Sequence, residues 1–146
     1  MLADVKRQHI VVLVSLAVVL LVGSVLLGSF GGSDSKPEPI SGAPKEVANV
    51  VARLELVTRR KEFAVLCDEL FTRSARTRAG GGDCVELLRS TAKDVRRARI
   101  RLLDVQIAGD RARAKVRTTA EGQTAVEETL ELERERGRYR ISALAG

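Results

Sequence analysis

Few residues in this chain could do chemistry, and their spacing limits what that chemistry could be. There is one histidine, His9, and there are two cysteines, Cys67 and Cys84. A Ser–His or Cys–His nucleophile needs an imidazole within hydrogen-bond reach, and imidazole metal ligation needs one beside further donors. His9 precedes the uncharged run Ile10–Leu27 and cannot serve residues beyond it. Gly80-Gly81-Gly82 lacks the Lys and Ser/Thr that complete a phosphate loop, so it is a flexible tip. The strand glutamates alternate with arginines and do not cluster as metal-binding acids would. No cofactor and no metal is expected.

Two residues remain as candidates for a ligand site. Glu128 falls in the apolar phase of an alternating segment, between Val126 and Leu130, and Tyr139 falls in the apolar phase of the next segment. A carboxylate on a concave apolar face could bind a cation or a hydroxyl-bearing ligand. The plainer reading is preferred: the sheet outruns its helices there and Glu128 meets water, since acidic residues are seldom buried unpaired. The formal net charge of +6 is carried mostly by arginine, with a local cluster at Arg96, Arg97, Arg99 and Arg101 continued by Arg111, Arg113 and Arg117. With no Trp, one Tyr and three Phe there are no interleaved aromatics for bases to stack on, so nucleic acid is not an expected partner. The cluster is first a solvated face and second a contact for anionic lipid or a polyanionic wall polymer.

The elements that position these residues begin with a membrane segment. Ile10–Leu27 carries no charge and as a helix would extend about 27 Å, close to the hydrocarbon thickness of a bilayer. Extended weakly through Phe30, segment 10–30 is expected to be an uncleaved signal-anchor. The rival is a cleaved secretory signal, whose apolar core is shorter and ends in a small-x-small site; here Leu26, Leu27 and Phe30 spoil most such registers. Lys6 and Arg7 on one flank are balanced by Lys36 and Lys45 on the other, so charge bias is nearly neutral. The short tail 1–9 is placed in the cytoplasm and the bulk of the chain outside. Residues 31–43, rich in Gly, Ser and Pro, form a semi-rigid linker.

Residues 44–146 are expected to form one α+β domain, three helices followed by a four-stranded antiparallel meander. Pro44 opens a helix with Val47, Val50, Val51, Leu54 and Val57 on one side. A second helix, about 61–71, aligns Phe63, Leu66, Cys67 and Leu70, and 72–82 is expected to be loop. Asp83 and Glu86 suggest a capping box opening a third helix whose stripe is Cys84, Leu87, Leu88, Thr91 and Val95. From there the period falls to two. Leu103, Val105 and Ile107 point inward, and Ile100 and Leu102, out of phase with them, imply a bulge. Turns at Gly109-Asp110 and Arg136-Gly137 pair Ile107 with Ala112, Val105 with Ala114, Leu132 with Ile141 and Glu133 with Arg140. A three-residue turn Ala120-Glu121-Gly122, with Gly122 left-handed, would pair Val116 with Val126 and Lys115 with Glu127, leaving Glu128 between Ala114 and Ala145.

Cys67 and Cys84 permit one intramolecular bridge, and both lie on the apolar sides of their helices. The alternative is a pair of buried free thiols. Export to an oxidising compartment favours the disulfide.

The cysteine after the second helix, Asp83-Cys84, Gly109-Asp110-Arg111-Ala112 and Gly137-Arg138-Tyr139-Arg140-Ile141 resemble the nuclear-transport-factor-2-like superfamily over residues 44–145. This cone-shaped fold is shared with ketosteroid isomerases and polyketide cyclases. In layout the chain resembles exported, membrane-anchored actinobacterial members of unknown function. Enzymes of the superfamily rely on Asp, His or Tyr lining the cone, which here leaves Glu128 and Tyr139. The expected function is a non-catalytic, membrane-tethered extracytoplasmic module with a protein partner in the cell envelope. The alternative is a binder of a small apolar ligand in the cone.

Overall fold

A computed structural model describes residues 42–145. The expected anchor at 10–30, the expected tail before it and nearly all of the expected linker lie outside the described residues. Among the described residues no helix is long and apolar enough to cross a membrane.

Helix α1, Ala43–Arg60, carries Pro44 in its first turn and buries Val47, Val51 and Val57. It ends at Lys61, whose φ of 56° is left-handed. Phe63–Val65 (α2) then runs into a wider, π-helical turn, Leu66–Leu70, and the expected stripe Phe63, Leu66, Cys67 and Leu70 is buried. Phe71 leaves this turn extended and bridges Ile141, while the Thr72 N–H donates to the Ile141 carbonyl at 2.9 Å.

The stretch 72–82 is not the loop expected from its composition. Arg73–Arg78 is a short helix, α3, whose N-cap Thr72 accepts the Ala75 N–H at 3.1 Å. Ala75 supplies the buried contact. The tip follows as a tight turn, Gly81–Asp83. Helix α4, Cys84–Thr91, lacks the expected capping box: Asp83 makes no side-chain cap, and Glu86 pairs with Arg89 at 2.6 Å. Its inner side is Cys84, with Val85 and Leu88 partly covered, whereas Leu87 and Thr91 are exposed.

The sheet has the order β1-β2-β3-β4, antiparallel throughout, from β1 (Arg99–Ala108), β2 (Arg111–Thr119), β3 (Val126–Glu135) and β4 (Arg138–Ala145). The outer hairpins have the registers their turns dictate, including Ile107 with Ala112, Val105 with Ala114, Leu132 with Ile141 and Glu133 with Arg140. The expected bulge in β1 falls between Leu102 and Asp104, so Ile100, Leu102 and Val105 face the core. Leu103 is the extra residue and is 46% exposed, not inward as its phase with Val105 suggested.

The middle hairpin differs by two residues from expectation. Val116 pairs with Glu128 and Thr118 with Val126, joined by a longer loop in which Gly122 does take a left-handed φ of 72°. A slip of two keeps every side chain on its expected face, because the strand period is two. A second bulge, at Ser142, was not signalled by the alternation; Ser142 is buried and its hydroxyl donates to the Glu131 carbonyl at 3.1 Å. The core lies between α1, the α2 turn and the inner sheet face, where Ala112, Ala114, Val116, Leu130, Leu132 and Ile141 are buried.

Candidate functional site

Glu128 and Tyr139 are not brought together. Tyr139 lies opposite Arg134, six positions along β3 from Glu128, so the two are separated by about 20 Å of strand. Tyr139 is 3% exposed, and its hydroxyl donates to the Gly109 carbonyl at 2.7 Å, tying β4 to the β1–β2 turn. The Arg134 guanidinium covers its ring at 4.3 Å, and Glu46 accepts its backbone N–H at 2.9 Å. Every polar atom of Tyr139 that could meet a ligand is engaged within the fold.

Glu128 is half-buried on the inner face, where the sheet extends towards the β2–β3 loop. Its neighbour on β2 is Val116 and not Ala114, and Ala145 faces Thr129. The Thr118 hydroxyl donates to its Oε1 at 2.9 Å. The second carboxylate oxygen has no protein donor among the described residues. The site can offer one carboxylate and one hydroxyl at the sheet's end, with Ile100, Leu102 and Leu144 as partly covered apolar neighbours of the core.

Cys67 and Cys84 are bonded, with Cα atoms 6.2 Å apart and both side chains buried. The bridge pins α4 to the π-helical turn. Among the described residues no three His, Cys, Asp or Glu side chains are arranged to hold a metal ion.

The arginine cluster divides. Arg96 and Arg97 lie on the turn before β1; the Arg96 carbonyl accepts the Glu121 N–H at 2.9 Å and Arg97 pairs with the Glu121 carboxylate at 3.2 Å. Arg99 and Arg101 stand on the outer face of β1, opposite Thr119 and Arg117. These four residues line a recess of about 340 Å³. Elsewhere on the outer face of β2 each cation meets a glutamate of β3: Arg111 with Glu133 (3.7 Å), Arg113 with Glu131 (3.6 Å), Lys115 with Glu127 (3.0 Å). Arg117 has Glu127 as its register partner, but that carboxylate is held by Lys115. The Lys115 hydrogen bond and charge keep the Glu127 carboxyl below the usual range, with Arg117 adding to this from farther away.

Arg117 is therefore the residue that the sequence reading undervalued, placing it with Arg111 and Arg113 on a solvated face. Counting across the Gly109-Asp110 turn and one bulge residue does align it with Arg101, so the signal was present.

No protein-family model matches the chain, and no curated protein matches it. Solved structures do share its architecture. An NTF2-like protein of unknown function from Shewanella baltica OS155 superposes with a TM-score of 0.53 at 11% identity, over 68% of this chain and 88% of that one. The protein named Rd1NTF2_04 with long sheet gives 0.51 at 18% identity, over 68% and 98%. A variant of Rd1NTF2_05 gives 0.54 at 15% identity, over 68% and 94%. At these identities the likeness is one of fold, and it agrees with the helix order, the antiparallel meander and the core described above. Residues 42–145 have the nuclear-transport-factor-2-like fold.

Proposed function

We propose that this fold serves here as a non-catalytic interaction module, tethered to the cell membrane by segment 10–30 and held outside it to engage a partner in the envelope. One observation carries the non-catalytic part. The two residues with catalytic potential, Glu128 and Tyr139, stand about 20 Å apart along the strands, and the Tyr139 hydroxyl is bound to the Gly109 carbonyl. General acid–base partners must converge on one substrate within hydrogen-bond reach, which this spacing does not allow. The uncharged run Ile10–Leu27 supports the tether, and the buried Cys67–Cys84 bridge supports an oxidising compartment.

Alkaline carbonate washing of membranes from cells expressing the full chain tests the tether, and protease added to intact spheroplasts tests the side. The full-length chain should stay in the pellet and the folded part should be digested from outside. A soluble fragment beginning after Gly31-Gly32-Ser33 would make segment 10–30 a cleaved signal.

A further inference from the structure

Arg101 and Arg117 face each other directly across the β1–β2 ladder. Like charges in this position destabilise a sheet, and every other β2 cation on this face is relieved by a glutamate. Arg99, Arg101 and Arg117 have no carboxylate partner among the described residues. Directly opposed side chains start about 5 Å apart and alternate ones along a strand about 7 Å apart, so three guanidinium groups can converge on one phosphate-sized oxyanion. Their planar forks match phosphate oxygens in bidentate pairs, and the Thr119 hydroxyl adds a donor at the recess wall.

The surroundings favour a surface over a free solute. All three arginines are exposed, so a single small anion would be screened by salt. An array of anions would also meet Arg96 and Arg97 on the adjoining turn. The bulged apolar residue beside this ladder pair, Leu103, is open to solvent at 46%. Basic groups beside an exposed apolar one suit the headgroup boundary of a bilayer.

We infer that this end of the sheet seats on an anionic phospholipid bilayer, with Arg99, Arg101 and Arg117 holding a headgroup phosphate. The inference rests on the tethered reading for having that membrane within reach. The chain enters α1 at the opposite end of the sheet, where Glu46 meets Tyr139 beside the Gly109 turn, while Glu55 near the other end of α1 accepts the Ile100 N–H at 2.8 Å. That offset of nine residues is about 14 Å along the helix, and segment 31–43 fully extended would reach about 45 Å, enough to lay the far end down.

The test mixes the full chain with nanodiscs of phosphatidylcholine alone or with phosphatidylglycerol added, and follows phenylglyoxal modification of individual arginines by mass spectrometry. Arg99, Arg101 and Arg117 should react about five-fold more slowly with the anionic discs, while Arg59 and Arg111 keep their rates. In the Arg101→Gln/Arg117→Gln variant, protection of Arg99 should disappear while the Cys67–Cys84 bridge persists. Equal rates at the three arginines in both discs overturn the inference. So does equal protection by soluble polyphosphate with neutral discs, which would make the ligand a free polyanion. A chain that fails to incorporate but is still protected by anionic discs supports the surface contact and removes the tether. An incorporated chain without protection keeps the tether and removes the contact.

Discussion

Glu46 in the first turn of α1 is paired at 3.0 Å with Arg134 near the end of β3, a residue 88 positions away. The same carboxylate accepts the Tyr139 N–H, and Arg134 lies over the Tyr139 ring. One helix residue thus fixes the start of α1 against two strands. Glu46→Ala should destabilise the domain by about 1–2 kcal/mol, because the Tyr139 N–H loses its acceptor away from bulk water. Glu46→Gln, whose amide oxygen can still accept, should recover part of the loss. Urea unfolding of the three proteins checks both.

Tyr139→Phe and Glu128→Ala should separate a structural residue from a dispensable one. Removing the phenol leaves the Gly109 carbonyl without its donor and should cost about 1 kcal/mol. Glu128→Ala removes one hydrogen bond from Thr118 at the sheet's end and should leave the thermal midpoint nearly unchanged. Loss of the cellular role in Glu128→Ala at unchanged stability would return the cone to consideration as a ligand site.

The Cys67–Cys84 bridge closes a loop with a sequence separation of 17 and should contribute roughly 3 kcal/mol. Denatured, unreduced protein should therefore take up no alkyl groups, and the Cys67→Ser/Cys84→Ser variant should unfold at lower denaturant. Two alkyl groups on the unreduced chain would remove the bridge and weaken the case for export.

Acid should act on the outer sheet face through Glu127. Its carboxyl is held below the usual range by the Lys115 hydrogen bond first and the Lys115 charge second. A lowered native pKa means that the pair's stabilisation is present above the unfolded carboxylate range and is lost as pH falls through the native value. Lys115→Gln should move the Glu127 titration, followed by side-chain carboxyl NMR, upward towards its ordinary position.

How much of this was legible in the chain depended on the turns. Gly109-Asp110 and Arg136-Gly137 each admit essentially one hairpin geometry, so the outer registers could be counted from sequence. Between Thr118 and Val126 no tight turn constrains the count, and registers two residues apart satisfy the same alternation. Charge could not decide between them, since Lys115 reaches Glu127 even as a diagonal neighbour. Helix α3 was hidden because a single buried alanine, Ala75, leaves no period to detect, although Thr72 was available as its cap. The expected register already gave Glu127 to Lys115 and set Arg117 opposite Ala125, so the arginine recess was legible only by counting through the β1 bulge.

Among the described residues every helix precedes every strand, and this order has a consequence for biosynthesis. At about 5–20 residues per second, Arg134 follows Glu46, 88 residues earlier, by about 4–18 s. Until β1 and β2 emerge late in that interval, the apolar stripe of α1 has no sheet to cover it. Within the material already made the two cysteines can form a covalent link, since both emerge before β1 begins. A thiol oxidant acting at the exit site would thus staple the helical half before it has a core, and the sheet would later close over a scaffold whose α2 turn and α4 are already joined.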